Sequence, residues 1–331
     1  MNFDVRSDCT IEPDVLIRFE QLTRELAALL NPQALESLRT VLVVEREEIG
    51  PRVNALIQGA GAAGSYSPSA FGPSGVAVPI ESEGRLDCTI LIARTVAESL
   101  SVPVVMRSAD AVSTILEELL HVCVYGLAKE RRGYVHHTQA DVLACDVDLL
   151  SVASQMCDEY AVIRQKVLIL GTVPLVQAAE GSEPVVVGLQ YGGSLSKEVL
   201  YGIEALQSSI NEGRTGIRPA QDSWAEVTRI LYRNVFEPLS RYSAYVDDVR
   251  SSASADDELK EFERYQTTLR HDWLLIHEAL RRLVATGLAD TESVLDTIQT
   301  TLRKMLKELG VSYRRVETGC WVEFRSPKLE D

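Results

Sequence analysis

The sequence lacks the segments that would place it in a membrane. No apolar run reaches the roughly 20 residues that a bilayer-spanning helix needs, and the first residues, MNFDVRSDCTIEPD, do not have the pattern of a secretory signal peptide. Positive charge is also scarce, since there are 33 lysines and arginines against 48 aspartates and glutamates, a net charge of −15. These absences predict a cytoplasmic protein with no membrane partner. They also argue against a nucleic-acid partner, because an acidic surface repels phosphates.

Cysteines are few, and no Cys-x-x-Cys pair occurs among them; they are Cys9, Cys88, Cys123, Cys145, Cys157 and Cys320. Zinc knuckles need closely spaced cysteine pairs, and disulfide frameworks are typical of small secreted proteins. Several of these cysteines fall on apolar helical faces, where a thiol packs as a small hydrophobic group. We therefore expect reduced core thiols, and neither a disulfide framework nor a catalytic thiolate.

The glycine-rich segment 57–74 lacks the features of a nucleotide-binding loop. Its four glycines are not followed by Lys-Ser or Lys-Thr, and their order differs from a dinucleotide fingerprint. The segment is expected to be a flexible loop.

Hydrophobic periodicity predicts an α+β fold for the first half of the chain and helices for the second. Strands are predicted at 40–44, 75–80 and 88–93, and helices at 14–31, 109–130 and 141–170. Further helices are predicted near 195–212, 223–249, 256–286 and 290–309, followed by a β-hairpin at 311–325. The sequence thus predicts a first domain over residues 1–190 and a helical domain over 191–331 that ends in a hairpin.

One predicted helix combines an apolar composition with three ionisable side chains. Glu117, Glu118 and His121 lie within the segment ADAVSTILEELLHVCVYGLAKE, which is otherwise suited to a protein core. Because residues four apart are one helical turn apart, Glu117 and His121 point the same way and Glu118 flanks them. If these groups are buried, a metal ion or a dense hydrogen-bond network has to compensate them.

A second interpretation of the same residues stays open. Thr114, Glu117, Glu118, His121 and Tyr125 follow helical spacing, and such a stripe is also typical of the solvent-facing side of an amphipathic helix.

The order of elements around this helix resembles the zincin fold of small intracellular zinc metallopeptidases of the gluzincin group. That order is strand, glycine-rich loop with Tyr66, two strands, a Glu-Glu-x-x-His helix, and a second helix with an acidic pair. In the family the first helix carries His-Glu-x-x-His, and a glutamate from the second helix completes the metal site. The resemblance covers roughly residues 35 to 170 and implies an α+β zincin-like domain.

The resemblance implies a role for each matching residue. Glu118 matches the general base, which takes a proton from water, and His121 matches the second metal ligand. Glu159 on the second helix looks like the third ligand, with Asp158 as its rival. The strand at 88–93 corresponds to the edge strand that pairs with an extended peptide substrate. Possible transition-state donors are Tyr66, Tyr134, His136 and His137.

One position departs from the family, because Glu117 stands where the first metal-binding histidine would be. A glutamate also binds zinc through oxygen, and a site richer in carboxylates tolerates harder divalent metals such as manganese. The leading hypothesis is a metal-dependent peptidase that acts on protein or peptide substrates. The alternative is a catalytically degenerate zincin that serves as a regulatory or protein-interaction module.

Other possible sites have less support in the sequence. A di-iron bundle would need two Glu-x-x-His motifs on two helices, and Glu118 to His121 supplies only one. His271 and His277 are six residues apart, which does not place them on one helical face. The hairpin after the last helix has the order of a winged-helix element with Arg314, Arg315 and Arg325. The acidity of the chain favours protein contact over DNA binding for that element.

Overall fold

The computed structural model describes residues 3–60, 74–82, 85–100, 105–132, 144–172, 194–247, 254–316 and 319–326. The fold is mixed α+β, mostly helical with a small sheet, as the sequence predicted. Backbone contacts divide the chain into two compact units. The first contains residues 1–130 and 165–189, and the second contains residues 131–164 and 190–331. The zincin-like domain and its bounds stay predictions.

A four-stranded sheet forms the centre of the first unit. Its strands are β1 (Asp4–Ser7), β2 (Leu38–Val44), β3 (Gly75–Ser82) and β4 (Arg85–Ala93), and they lie in the order β1-β2-β4-β3. The first three strands in that order are parallel, while β3 runs antiparallel to β4. Both β2 and β4 end in buried apolar runs, as expected for strands that are covered on both faces.

The topology corrects the predicted substrate strand. Residues 88–93 belong to β4, which pairs with β2 on one side and with β3 on the other. An interior strand has both rows of backbone groups occupied, so β4 is unable to accept an extended peptide. The antiparallel edge of this sheet is β3.

Helices of the first unit include α1 (Pro13–Ala28), α2 (Ile49–Gly59), α3 (Arg94–Ser99) and α4 (Val105–Arg132). A proline at its first position suits α1, because the missing N–H would have no helical partner there. In α4, Gly126 lies against the chain at Ala34, and a Cβ at Gly126 would be 2.7 Å from the Ala34 carbonyl oxygen. The glycine therefore permits close packing of α4.

A long unbroken helix, α5 (Ala144–Thr172), follows in the sequence. Further α-helices of the second unit follow before its C-terminal strands. They are α6 (Leu195–Thr215), α7 (Ala220–Ile230), α8 (Glu237–Val246), α9 (Ala255–Leu259), α10 (Glu263–Thr268), α11 (Arg270–Ala285) and α12 (Thr291–Glu308). No helix in the described ranges has both the length and the apolar character needed to cross a bilayer.

The predicted C-terminal hairpin is confirmed by β5 (Val311–Val316) and β6 (Gly319–Phe324), which pair antiparallel. A disulfide joins Cys320 of β6 to Cys145 at the start of α5. The expectation that all six cysteines are reduced is therefore wrong for this pair. Spacing gave no hint of it, because the two cysteines are 175 residues apart. The other four cysteines, Cys9, Cys88, Cys123 and Cys157, are not disulfide-bonded.

Candidate metal centre

Two of the three ionisable residues of α4 are buried. Glu118 is 8% exposed and His121 is 9% exposed, and apolar core residues such as Leu119 and Leu120 stand beside them. The solvent-facing interpretation of the stripe is therefore wrong for these two positions. An ionisable group at such a site requires compensating neighbours. Glu118 and His121 both interact with neighbouring groups in the structure.

Glu117 accepts a hydrogen bond from the ammonium group of Lys166, which is on α5. Both side chains are largely buried, with 14% of Glu117 and 7% of Lys166 exposed. A buried carboxylate of this kind is stabilised only when a cation or several donors compensate its charge. Lys166 is thus a site residue that the sequence analysis missed. The sequence feature that could have indicated this residue is a single lysine followed by the apolar run Val167–Leu170.

Glu118 lies against the first residue of the edge strand β3. A Cβ built on Gly75 would be 2.9 Å from Glu118 Cγ and 3.1 Å from its Oε1. The absence of a side chain at Gly75 therefore leaves the room that the Glu118 carboxylate occupies. This contact places the proposed general base beside the only edge of the described sheet that is antiparallel to its neighbour.

Glu159, on α5, accepts a hydrogen bond of 2.7 Å from the guanidinium of Arg241 on α8. Its side chain is 13% exposed, and that of Arg241 is 30% exposed. Each of the two carboxylates proposed as metal ligands is therefore paired with a cation. Arg241 was missed from the sequence, because nothing links α8 to α5 along the chain.

The three residues predicted as ligands are brought together. Glu117, His121 and Glu159 each offer one ligand atom, and these atoms lie within 4.8 Å of one another. Two carboxylates and one imidazole are able to hold a divalent metal ion. Asp158, the rival of Glu159, is not a member of the group.

Four other predicted residues lie outside the described part of the chain, namely Tyr66, Tyr134, His136 and His137. Their assignment as transition-state donors stays a prediction. His277 has a structural partner in the second unit, because its Nε2 is 2.9 Å from Asp247 Oδ2.

Comparison with protein-family models, with curated proteins and with solved structures gives no match for this chain. The geometry of α4, α5 and β3 therefore carries the functional argument by itself.

Proposed function

We propose that this chain binds a divalent metal ion through Glu117, His121 and Glu159 and hydrolyses peptide bonds. The observation that supports the proposal is the convergence of the three ligand atoms within 4.8 Å. A bound zinc or manganese ion would act as a Lewis acid and make water more acidic. Glu118 would accept the proton from that water as it attacks a peptide carbonyl.

The position of Glu118 supports its role as the base. Its carboxylate is buried and lies beside Gly75, where the edge strand β3 begins. An extended peptide that adds to a free strand edge binds through main-chain hydrogen bonds. Because β3 and not β4 is the edge strand, such a substrate would pair with β3 and pass beside Glu118, the proposed general base.

Lys166 and Arg241 act as competitors of the metal in this proposal. Each holds a carboxylate of the ligand set, and the Lys166 ammonium would have to leave Glu117 for that carboxylate to hold a metal ion. A buried carboxylate needs a positive partner, and the metal ion would be that partner of Glu117 in place of the ammonium.

Metal analysis of the purified protein tests the first part. We expect zinc or manganese in the native protein after equilibration, and its loss in His121→Ala. His271→Ala is the matched control, because His271 is an exposed histidine of α11 and is no part of the group. Equally negligible metal in the native protein and in His121→Ala would contradict metal binding.

Cleavage of an unfolded protein substrate tests the second part. Glu118→Gln keeps the size of the side chain and removes its basicity, so it should abolish cleavage while metal content stays unchanged. Cleavage that persists in Glu118→Gln would exclude this residue as the base.

The ion pairs favour a second candidate, a degenerate zincin that no longer cuts and acts as a protein-interaction module. In this case the Lys166 ammonium permanently takes the place of a metal ion beside Glu117. Removing one partner of a buried ion pair costs about 3–5 kcal/mol. Lys166→Met should then lower the stability, and added zinc should not restore it. Restoration by zinc would instead support the metal site.

A further inference from the structure

The start of α5 is fastened to the C-terminal hairpin by the Cys145–Cys320 disulfide. Cys145 lies in the first turn of the helix and is 3% exposed, whereas Cys320 on β6 is half-buried. Both residues belong to the second unit. The bond closes a loop of 175 residues, which contains most of that unit.

Polar contacts also join the start of α5 to α12 and to β5 of the hairpin. Asp146 accepts hydrogen bonds of 2.5 Å from the Arg303 guanidinium and from the Tyr313 hydroxyl. The Gln299 side-chain amide donates to the Asp146 carbonyl oxygen at 2.8 Å. Burial raises the pKa of Tyr313 to about 12, so its hydroxyl keeps the proton that it donates. The two sulfur atoms would therefore stay close to each other if the bond between them opened.

The remaining buried cysteines with shifted pKa values have no comparable reactivity. Burial raises the pKa of Cys88 to about 11 and that of Cys123 to about 12. A thiol with such a pKa is protonated at neutral pH and is a poor nucleophile. Cys88 and Cys123 are therefore not expected to take part in thiol exchange at neutral pH.

We propose that Cys145 and Cys320 form a reversible redox site, opened by low-molecular-weight thiols of the glutathione type and closed by the corresponding disulfides. Cys320, the more accessible of the two residues, provides the sulfur that is attacked. The incoming thiolate bonds to Cys320, and Cys145 leaves as a thiolate, which takes up a proton. A second thiol then attacks the mixed disulfide, so that two thiols are oxidised to one small disulfide and both cysteines are reduced.

The position of Cys145 favours this exchange. The first turn of an α-helix carries backbone N–H groups without helical partners, and these stabilise negative charge on a leaving sulfur. The polar contacts of Asp146 keep the reduced pair close, so a small disulfide closes the bond again without a search for the partner.

Thiol counting in glutathione buffers tests the proposal directly. Alkylation and mass spectrometry should find four free cysteines after incubation with oxidised glutathione and all six after excess reduced glutathione, both under native conditions. Six free cysteines in both buffers, or four in both, would overturn the proposal.

Thermal unfolding gives an independent readout. Reduction releases the constraint on the long loop, so we expect Tm to fall by roughly 5–15 °C. The double variant Cys145→Ser/Cys320→Ser should unfold like the reduced protein in both buffers, while Cys9→Ser, the matched control, should respond like the native protein. A native Tm that is the same in both buffers would contradict the proposal. None of these measurements involves the metal group.

Discussion

At the scale of single residues, the contact between Gly75 and Glu118 links the sheet to the candidate site. Glu118 keeps a buried carboxylate because β3 begins with a residue that has no side chain. Gly59 offers a comparison, since a Cβ there would meet nothing within 4 Å. Gly75 therefore leaves space that a neighbouring side chain occupies, whereas Gly59 does not. Only the structure shows this difference.

We predict that Gly75→Ala destabilises the protein by about 1–3 kcal/mol, the usual cost of overpacking a well-filled site. The added methyl group would force Glu118 or Ile92 to move, since both have an atom within about 3 Å of it. Gly59→Ala should be neutral or slightly stabilising, because alanine favours a helix over glycine. Denaturant midpoints measure both. Equal stability of the two variants would contradict the assigned packing.

At the scale of elements, Asp247 at the end of α8 joins three helices of the second unit. Its carboxylate accepts a hydrogen bond from the Tyr160 hydroxyl of α5 and is 2.9 Å from His277 Nε2 of α11. The His277 ring also stacks on Trp273, with 5.5 Å between ring centres. Burial alone would raise the pKa of Asp247, but the bonds from His277 and Tyr160 outweigh it and hold the pKa below its usual value.

A lowered pKa means that the ionised form of Asp247 stabilises the fold. This contribution is present above the ordinary aspartate pKa of about 4 and is lost as the pH falls through the lower folded value. Asp247→Asn should therefore cost about 1–3 kcal/mol at pH 7, and the difference from the native protein should shrink towards pH 3. Unfolding by urea at several pH values measures this, with the exposed Asp296→Asn as control. A difference independent of pH would contradict the assignment.

Element boundaries also depend on tertiary contacts. The sequence predicts one helix over 223–249, but a π-helical stretch, Leu231–Phe236, separates α7 from α8. Gly202 of α6 lies against this stretch, and a Cβ there would be 2.3 Å from the Asn234 carbonyl oxygen. The predicted helix over 256–286 is likewise divided into α9, α10 and α11. Apolar spacing persists across such irregularities, so periodicity does not locate them.

At the scale of the whole molecule, metal binding and folding are linked. A ligand that binds only the folded state stabilises it by about 2.7 kcal/mol when its concentration is 100 times its Kd. The proposed site would show this linkage, since an unfolded chain does not hold Glu117, His121 and Glu159 together.

We predict that zinc or manganese raises Tm by roughly 5–10 °C at such a concentration, and that a chelator reverses the shift. His121→Ala should remove the response and His271→Ala should keep it. Differential scanning calorimetry measures all three proteins. A shift of the same size in His121→Ala would mean that the metal binds elsewhere.

The sequence by itself determined the α+β class, the long helices α4 and α5, the hairpin and the grouping of Glu117, Glu118 and His121 on α4. Each of these features depends on the spacing of apolar and polar residues within one segment, and hydrophobic periodicity detects that spacing. Hydrophobic periodicity did not predict short or irregular elements such as β1 and α2. A four-residue strand and a helix that contains Gly50 and Pro51 have too little periodic pattern to be recognised.

Tertiary structure alone decided which strand forms the edge, which cations compensate the carboxylates, and which cysteines join. Lys166 and Glu117 are 49 residues apart, Arg241 and Glu159 are 82 apart, and the bonded cysteines are 175 apart. Partners at such separations meet only when the packing of whole elements brings them together. Local propensity acts over a few residues, so it does not encode these pairs.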